Sequence, residues 1–507
     1  MSTPEAVIEI GATGVRLLVA EITSDRKRNT LDRSELPVSI GKDVFNDGVI
    51  SRETLIQLLK ILKRFTEQLK GWGITAEHTT VIATSSFREA KNRDPVLDRI
   101  FTSTGFRVNV IDGIEENRLT YIAVNECLKD APLEKKEDTV ILEISGGSTE
   151  MMLMKKGKMA GAHSLKLGSA RFEKMHISSR SFEDMKRYVS EFIQNTKGSL
   201  ESELNLSDVK HFIAVGSVLS VAALHIGKPI STFLWQISRK DFEKFTDDIQ
   251  KYSIDELMAS FKISFSDAQS MQVSLLMYKM FVSLTKVKFI IVPETNIREG
   301  LIIDRASDSN SELKNEFNDQ VLASASNLLR KYYGDQEHAE YVRSMSLKLF
   351  DAMESVVFLD ERSRLLLQVA AILHDIGIFI RLDQHNLHGE YIIKNSEIFG
   401  LSKTENTIIS LIAKYHRGKK SPQDSEQFQN LPRTERMIIL KLTAILRVAD
   451  ALDRGHGQKL SDISFNLSND ALTIKTKNHQ NISLERLAIL QKGDFFESVF
   501  GLKIILI

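Results

Sequence analysis

Disulfides can be set aside at once, because the 507 residues contain a single cysteine, Cys127. One thiol cannot form an internal bridge, and such sparing use suits a reducing compartment. Cys127 follows Glu126 in a stretch that reads as an amphipathic helix, a poor setting for a nucleophile. An excess of charge is lacking too, since Lys+Arg and Asp+Glu are both 67. Wholesale binding to nucleic acid or to a membrane surface is therefore not expected, although a local basic cleft is compatible with a zero balance. No apolar run approaches the ~18 residues of a membrane span. The stretch MSTPEAVIEIG has no basic segment leading into a long apolar one, so no signal peptide and a cytoplasmic location are expected. What is present is a soluble globular composition, 42% hydrophobic and 26% charged. The chain is too long for one core, and three or four domains are expected.

The amino-terminal part alternates strand and helix. AVIEI, the turn GATG and VRLLVAEI read as a hairpin over residues 6–23. An amphipathic helix at about 52–70 leads to a strand, TTVIATSS (79–86). Another strand, FRVNVIDG (106–113), leads to a helix opening at EENRLTYIAV. A second hairpin follows, with strand TVILEI (139–144), turn SGGSTE and strand MMLMKKGK (151–158). This alternation predicts an α/β layer architecture. Each hairpin carries a glutamate just before its turn, Glu9 and Glu143, 134 residues apart. One design used twice would put a turn on each wall of a cleft.

Residues 304–316 (DRASDSNSELKNE) are polar and read as a linker. Beyond them the pattern is helical, with 3.6-period segments such as EYVRSMSLKLFDAM and ERSRLLLQVAAILHDIG. A loop is expected at about 417–435. Near 460 strands return in DISFNLSNDALTIKTK, then a helix at about 483–491 and a last strand, LKIILI: a small α+β tail.

Phosphoryl transfer needs donors around the phosphate oxygens, a cation to absorb charge, and a group that prepares water. Glycine turns bring backbone N–H groups close to an anion, and a carboxylate at the preceding strand end suits Mg²⁺. SGGSTE, with Glu143 before it and Glu150 at its end, meets that description, although a plain hairpin turn would also contain Gly-Gly. TSSFREAKN carries Arg88 at a helix start that suits phosphate. SLKLGSARFEK offers Lys166 and Arg171, and NIREG offers Arg298 and Glu299. Each of these arginines, taken singly, is more often a surface charge.

Taken together, EIGATGVRLLVAEI, ATSSFREAKN, GIEENRLTYIAV, ILEISGGSTE, SLKLGSARF and NIREGL resemble, in order and spacing, the exopolyphosphatase/guanosine pentaphosphate phosphohydrolase (Ppx/GppA) family. The likeness continues through HDIGIFIRLDQHNLHGEYIIKNSEIFGLS, IAKYHRGKKS and ILRVADALDR. It implies a duplicated actin and sugar-kinase type (ribonuclease H-like) α/β fold, an all-helical HD-like domain and a small α+β carboxyl-terminal domain. The corresponding boundaries are 1–124, 125–305, 306–458 and 459–507. It implies release of terminal phosphate from polyphosphate or from the 5′ end of guanosine pentaphosphate, with Mg²⁺ or alternatively Mn²⁺, in a homodimer that binds neither nucleic acid nor membrane. Carried over by position, Glu116 is the base that activates water. Glu143, Glu150 and Glu9 are metal-binding positions. Gly11, Thr13, Arg88, Gly146, Gly147, Ser148, Arg171 and Arg298 are phosphate contacts.

The chain departs from that pattern in places. The family usually has Asp where Glu9 and Glu143 stand, and Ser-Asn-Ser/Thr at Ala12-Thr13-Gly14. It has Gly at Ser145, and a Ser-Gly-Thr-like turn where this chain has AVGSVLS. An extra methylene moves a metal-bound oxygen by roughly 1 Å, enough to cost about 10²-fold in rate. Two functions are therefore carried forward: a phosphohydrolase, and a weakened relative that binds guanosine tetra- or pentaphosphate as a sensor. In the helical part, His338, His374, Asp375 and Asp450 are the ligand types of a second metal site, the rival being a hydrogen-bonded core that has lost its metal. His388 and His416 lie nearby, His385 reads as surface, and Lys419 and Lys420 read either as a basic channel or as a solvated loop.

Overall fold

The computed structural model describes residues 4–22, 28–129, 131, 136–172, 179–306, 311–418, 421–460, 462–476 and 481–507. The chain forms two compact units, Met1–Glu316 and Phe317–Ile507.

The first unit holds two sheets. Strands β1 (Pro4–Ile10), β2 (Gly14–Ile22), β3 (Arg28–Pro37), β4 (Thr79–Ala83) and β5 (Val108–Val110) run in the order β3-β2-β1-β4-β5. The second sheet contains β6 (Thr139–Ile144), β7 (Thr149–Lys155), β8 (Lys158–Leu165), β9 (His211–Val215), β10 (Lys228–Ser231), β11 (Leu234–Ser238) and β12 (Phe289–Pro293). Its order is β10-β11-β12-β9-β6-β7-β8. In both sheets an antiparallel meander is followed by a strand parallel to its first member, β4 beside β1 and β9 beside β6. The repeat expected from the hairpins is thus a repeat of strand order, as in an actin and sugar-kinase type fold, with β11 and β10 added at one edge.

The central strands β1 and β6 are apolar because both faces are covered. Ile8, Leu17 and Val81 pack with Leu58 and Phe65 of the helix Arg52–Gly71, whose first turn is capped by Ser51. Leu142, Leu153 and Phe212 pack with Met185, Leu219 and Phe281. β3, RNTLDRSELP, carries too many charges to read as a strand, and it lies at a sheet edge where charge is tolerated.

Several elements end earlier or later than their patterns predict. β4 stops at Ala83 because Ser85 and Ser86 already belong to a helical turn, Ser85–Glu89. β5 shrinks to three residues because Asp112 leaves the sheet to cap the helix Gly113–Leu128, its side chain accepting from Glu115 N at 2.9 Å. β7 starts at Thr149 and ends at Lys155, since Lys156 and Gly157 take positive φ to turn into β8. The helix Gly113–Leu128 is approached closely by the helix Ile297–Ala306, where a Cβ on Gly300 would stand 2.1 Å from the Leu119 carbonyl oxygen.

The second unit is mainly helical. Its three-stranded sheet, β13 (Ile463–Leu467), β14 (Ala471–Thr476) and β15 (Lys503–Leu506), shares one buried cluster with the helices, Leu472, Ile474 and Phe496 joining Val342, Leu366, Ile409 and Ile445. The helix expected at 483–491 runs Ser483–Phe500 and stops at Gly501, φ 71°. The expected linker is largely helical, because Ile297–Ala306 runs into it and Ser311–Lys331 begins within it. The loop at 417–435 contains short helical turns, Pro422–Asp424 and Glu426–Gln429, and the start of the helix Arg433–Ala451. Lys419 and Lys420 lie outside the described residues. Among the described residues, no helix is long and apolar enough to cross a membrane.

Candidate active site

Side chains of directly paired strand residues share one face of a sheet. The register pairs Glu9 with Arg16 in the first hairpin and Glu143 with Glu150 in the second. The first pair is complementary. The second sets two carboxylates opposite each other, which is destabilising unless a proton or a cation intervenes. The helix Gly113–Leu128 lies over this second pair. Asn117 Nδ2 donates to Glu150 Oε2 at 3.1 Å and Thr120 Oγ1 donates to Glu143 Oε2 at 2.5 Å, with Glu116 on the same face. A cavity of about 450 Å³ opens between the hairpins, lined among others by Glu9, Gly11, Thr13, Arg16, Glu116, Glu143, Gly146 and Arg298.

The carboxylates differ in their partners, and that sets their charge. Glu9 is held by Arg298 and by Arg16 at 3.4 Å. Burial pushes its carboxyl up, but the two guanidiniums outweigh burial and hold it below the ordinary value. Glu116, only 4% exposed, receives Arg88 at 2.5 Å. Burial nevertheless pushes Glu116 up against the pull of Arg88, helped by the nearby charges of Glu9 and Asp112. Glu143 has a hydroxyl as its partner, and burial, with Glu116 and Glu9 nearby, pushes it up to about 7 against the hydrogen bond from Thr120. Glu150 is pushed well up by burial and by Glu116, despite donation from Ser164 at 2.8 Å. A set of oxygen donors whose charges are short of cations fits a hard divalent ion such as Mg²⁺, with Glu143 the available ligand facing the cavity.

The turns were expected to offer their N–H groups to phosphate. In the second turn Ser145 has taken them. Its Oγ accepts from Ser148 N at 3.2 Å and from Gly147 N at 3.4 Å, while it donates to the Ser148 carbonyl at 3.1 Å. Gly147 is closed in from outside, since a Cβ there would meet Ser85 Oγ at 1.9 Å and Phe45 Cζ at 2.7 Å. Gly147 and Ser148 are buried, and among the described residues they do not line the cavity.

Arg171 is likewise engaged elsewhere. Its Nε donates to the Gly147 carbonyl at 2.6 Å, its Nη2 meets Glu89 at 2.5 Å, and its guanidinium lies 4.1 Å from the Phe45 ring centroid. It braces the turn from behind. Lys166 is exposed. Glu299 is buried, accepting from Thr295 at 2.8 Å and pairing with Arg33 at 2.5 Å.

Arg16, Thr120 and Tyr278 were missed in the sequence. Arg16 could have been found from the alternation of the first hairpin, which puts it opposite Glu9. Tyr278 receives Ile144 N at 2.8 Å and donates to the Val215 carbonyl, tying the ends of β6 and β9. No local signal marks it, because its partners are 63 residues or more away in sequence.

In the second unit the four predicted side chains, His338, His374, Asp375 and Asp450, do converge. His385, expected at the surface, is 2% exposed because its Nε2 reaches Asp375 Oδ1 at 3.0 Å while Nδ1 meets the Leu382 carbonyl. His416 belongs to the same cluster and His388 is half-buried outside it.

Known proteins place the chain. The family description Ppx/GppA phosphatase matches residues 18–309, and Ppx/GppA phosphatase, domain III, matches 322–492. A guanosine-5′-triphosphate,3′-diphosphate pyrophosphatase of Pseudoalteromonas translucida is 24% identical over 488 residues, covering 93% of this chain and 92% of its own. The enzyme of the same name from Vibrio vulnificus is 22% identical, covering 87% and 86%. A crystal structure of an exopolyphosphatase from Cytophaga hutchinsonii has a TM-score of 0.53 at 22% identity, covering 60% of this chain and 98% of its own. That likeness speaks for the fold alone. With a family description spanning more than half of its length, the chain belongs to the Ppx/GppA phosphatase family.

Proposed function

We propose that this family member is a divalent-metal-dependent phosphohydrolase that releases terminal phosphate from inorganic polyphosphate, the 5′ phosphate of guanosine pentaphosphate, or both. The observation that carries the reading is the buried Glu116 sharing one cavity with Glu143, Gly11, Gly146 and Arg298. Glu116 takes the proton from the attacking water. Its raised carboxyl makes it a better base than an exposed glutamate. Arg88 fixes Oε1 of Glu116, and Thr120 orients Glu143. Arg16 and Arg298 bring positive charge to the cavity wall where phosphate oxygens would lie. Mg²⁺ or Mn²⁺ held by Glu143 would supply charge neutralisation as the bridging P–O bond breaks. Glu9, with both oxygens on arginines, serves to position Arg298 rather than to bind metal.

The names borne by the two pyrophosphatases and the exopolyphosphatase support these substrates. The same reading makes the chain a cytoplasmic homodimer with α/β halves at 1–124 and 125–305, an HD-like helical domain at 306–458 and a small α+β domain at 459–507. The test is Glu116→Gln with polyphosphate and guanosine pentaphosphate side by side. Phosphate release falls by about 10²–10⁴-fold with circular dichroism and inorganic phosphate binding retained. Unchanged turnover refutes the reading.

Ser145 favours one alternative, a sensor that binds guanosine tetra- or pentaphosphate with little hydrolysis, because its hydroxyl holds the Gly147 and Ser148 N–H groups inside the turn and away from the cavity. Calorimetry showing tight nucleotide binding without phosphate release in Mg²⁺ or Mn²⁺ supports it, and measurable turnover removes it.

A further inference from the structure

Four imidazoles and two carboxylates of the second unit meet at the ends of five helical elements. His338 lies in the helix Gln336–Ala352, His374 and Asp375 follow Glu361–Leu373, His385 opens His385–Lys394, His416 follows Lys403–Tyr415, and Asp450 is near the end of Arg433–Ala451. All four rings are at most 2% exposed. Their Nδ1 atoms are already committed. His374 meets the Ala371 carbonyl at 2.7 Å, His385 the Leu382 carbonyl at 2.9 Å, and His416 the Ala413 carbonyl at 2.5 Å. His338 meets Asp453 Oδ2 at 2.8 Å. Carbonyls and carboxylates only accept, so Nδ1 of His338, His374 and His416 carries the hydrogen and each of these rings, when neutral, presents a lone pair at Nε2. His385 does the same in the tautomer that donates to Leu382, the Arg417 guanidinium also lying 3.2 Å from its Nδ1. This commitment of the second nitrogen is how metal-binding imidazoles are oriented.

The lone pairs then face one another. Nε2 of His338 and His374 are 3.2 Å apart, and those of His385 and His416 are 3.4 Å apart. Both pairs face the same carboxylate from opposite oxygens. Asp375 Oδ2 is 3.6 Å from His374 Nε2 and 3.9 Å from His338 Nε2, while Oδ1 is 3.0 Å from His385 and 3.4 Å from His416. Asp450 Oδ1 closes the first group at 3.6 Å from His338 and 3.9 Å from His374, its other oxygen held by Lys492. Acceptors converging on a point are favourable only around positive charge. Bonds of about 2.1 Å to one ion would space neighbouring donor atoms about 3.0–3.4 Å apart, near the spacings seen here.

We propose that this cluster is a dinuclear site for divalent transition-metal ions. His338, His374, Asp450 and Asp375 Oδ2 hold one ion, His385, His416 and Asp375 Oδ1 hold the other, and Asp375 bridges them. Four imidazole nitrogens favour Mn²⁺, Fe²⁺, Co²⁺ or Zn²⁺ over Mg²⁺. Three protein donors on the second ion leave positions open to water or an oxyanion, and the Asp375 side chain is 18% exposed. The site extends beyond the four residues legible in the sequence and is independent of Glu116.

The test titrates Co²⁺ into the EDTA-stripped full chain, read by visible absorption from imidazole-bound cobalt and by metal content after desalting. Absorption in the wild type saturates at two equivalents and persists in Glu143→Gln, whose site offers only oxygen donors. Asp375→Asn holds two ions fewer than the wild type and His416→Ala one fewer, each with wild-type circular dichroism. If either variant fails to fold, the wild-type stoichiometry decides. Saturation at one equivalent overturns the proposal, and so does absence of the bands, which would mean that protons alone reconcile the lone pairs.

Discussion

Glu143 is expected to weaken the fold that carries it. Its carboxyl stands at about 7 rather than at an ordinary 4.5, chiefly through burial and then through Glu116 and Glu9. At 1.36 kcal/mol per pH unit that difference corresponds to about 3 kcal/mol when the group is ionised. Between pH 4.5 and about 7 the folded chain keeps a proton here that the unfolded chain has released. Stability therefore falls as pH rises through that window and is lowest above it. Glu143→Gln removes the charge and keeps the shape. In EDTA at pH 8 the variant should be the more stable protein by up to about 3 kcal/mol, the advantage fading toward pH 5. Saturating Mg²⁺ should cancel much of the gap, because an ion at 100 times its Kd adds about 2.7 kcal/mol to the form that binds it. Calorimetric unfolding of both proteins at pH 5 and pH 8, with and without Mg²⁺, measures all of this. A variant no more stable than the wild type at pH 8 in EDTA refutes the reasoning. The same substitution should abolish phosphate release, so the stabilised protein is the inactive one.

Ser145→Ala leaves the buried Gly147 and Ser148 N–H groups without the hydroxyl that accepts from them, so a loss of about 1–3 kcal/mol is expected in urea unfolding. Unchanged stability counts against the hydroxyl holding this turn. Arg298→Ala leaves Glu9 with Arg16 alone and should destabilise the chain by about 3 kcal/mol in urea unfolding. Much of that loss should return in Glu9→Ala/Arg298→Ala, and a double variant no better than the single one contradicts the pairing. Gly300→Ala sets a methyl against the Leu119 carbonyl, so a loss of about 1–3 kcal/mol is expected. Phosphate release should fall with it, since the displaced helix carries Glu116; a variant with normal melting and turnover argues against that coupling.

The two hairpins of the first unit were legible because β1, β2, β6 and β7 are covered on both faces and so appear as apolar runs. β3 was not, since an edge strand needs no apolar run and its residues are mostly polar. Glu9, Glu116 and Glu143 were placed in one cavity by motif and hairpin spacing. The roles of their partners were not legible. Whether Arg171 faces phosphate or Glu89 depends on the fold around Phe45, and whether a glycine turn is open depends on one hydroxyl at Ser145. His385 illustrates the limit in the second unit. Its neighbours Asp383, Gln384 and Asn386 read as a polar surface, and only the tertiary approach of Asp375 and His416 buries the ring.

The contact at Gly146 has a wider consequence. A Cβ there would stand 3.0 Å from Thr13 Cγ2 and 3.2 Å from Ala12 Cβ, so the tips of the two turns touch across a missing methyl. Residue volume at this one position works as a shim between the halves. Anything bulkier wedges them apart and widens the mouth, tuning which polyanions fit without altering a single charge.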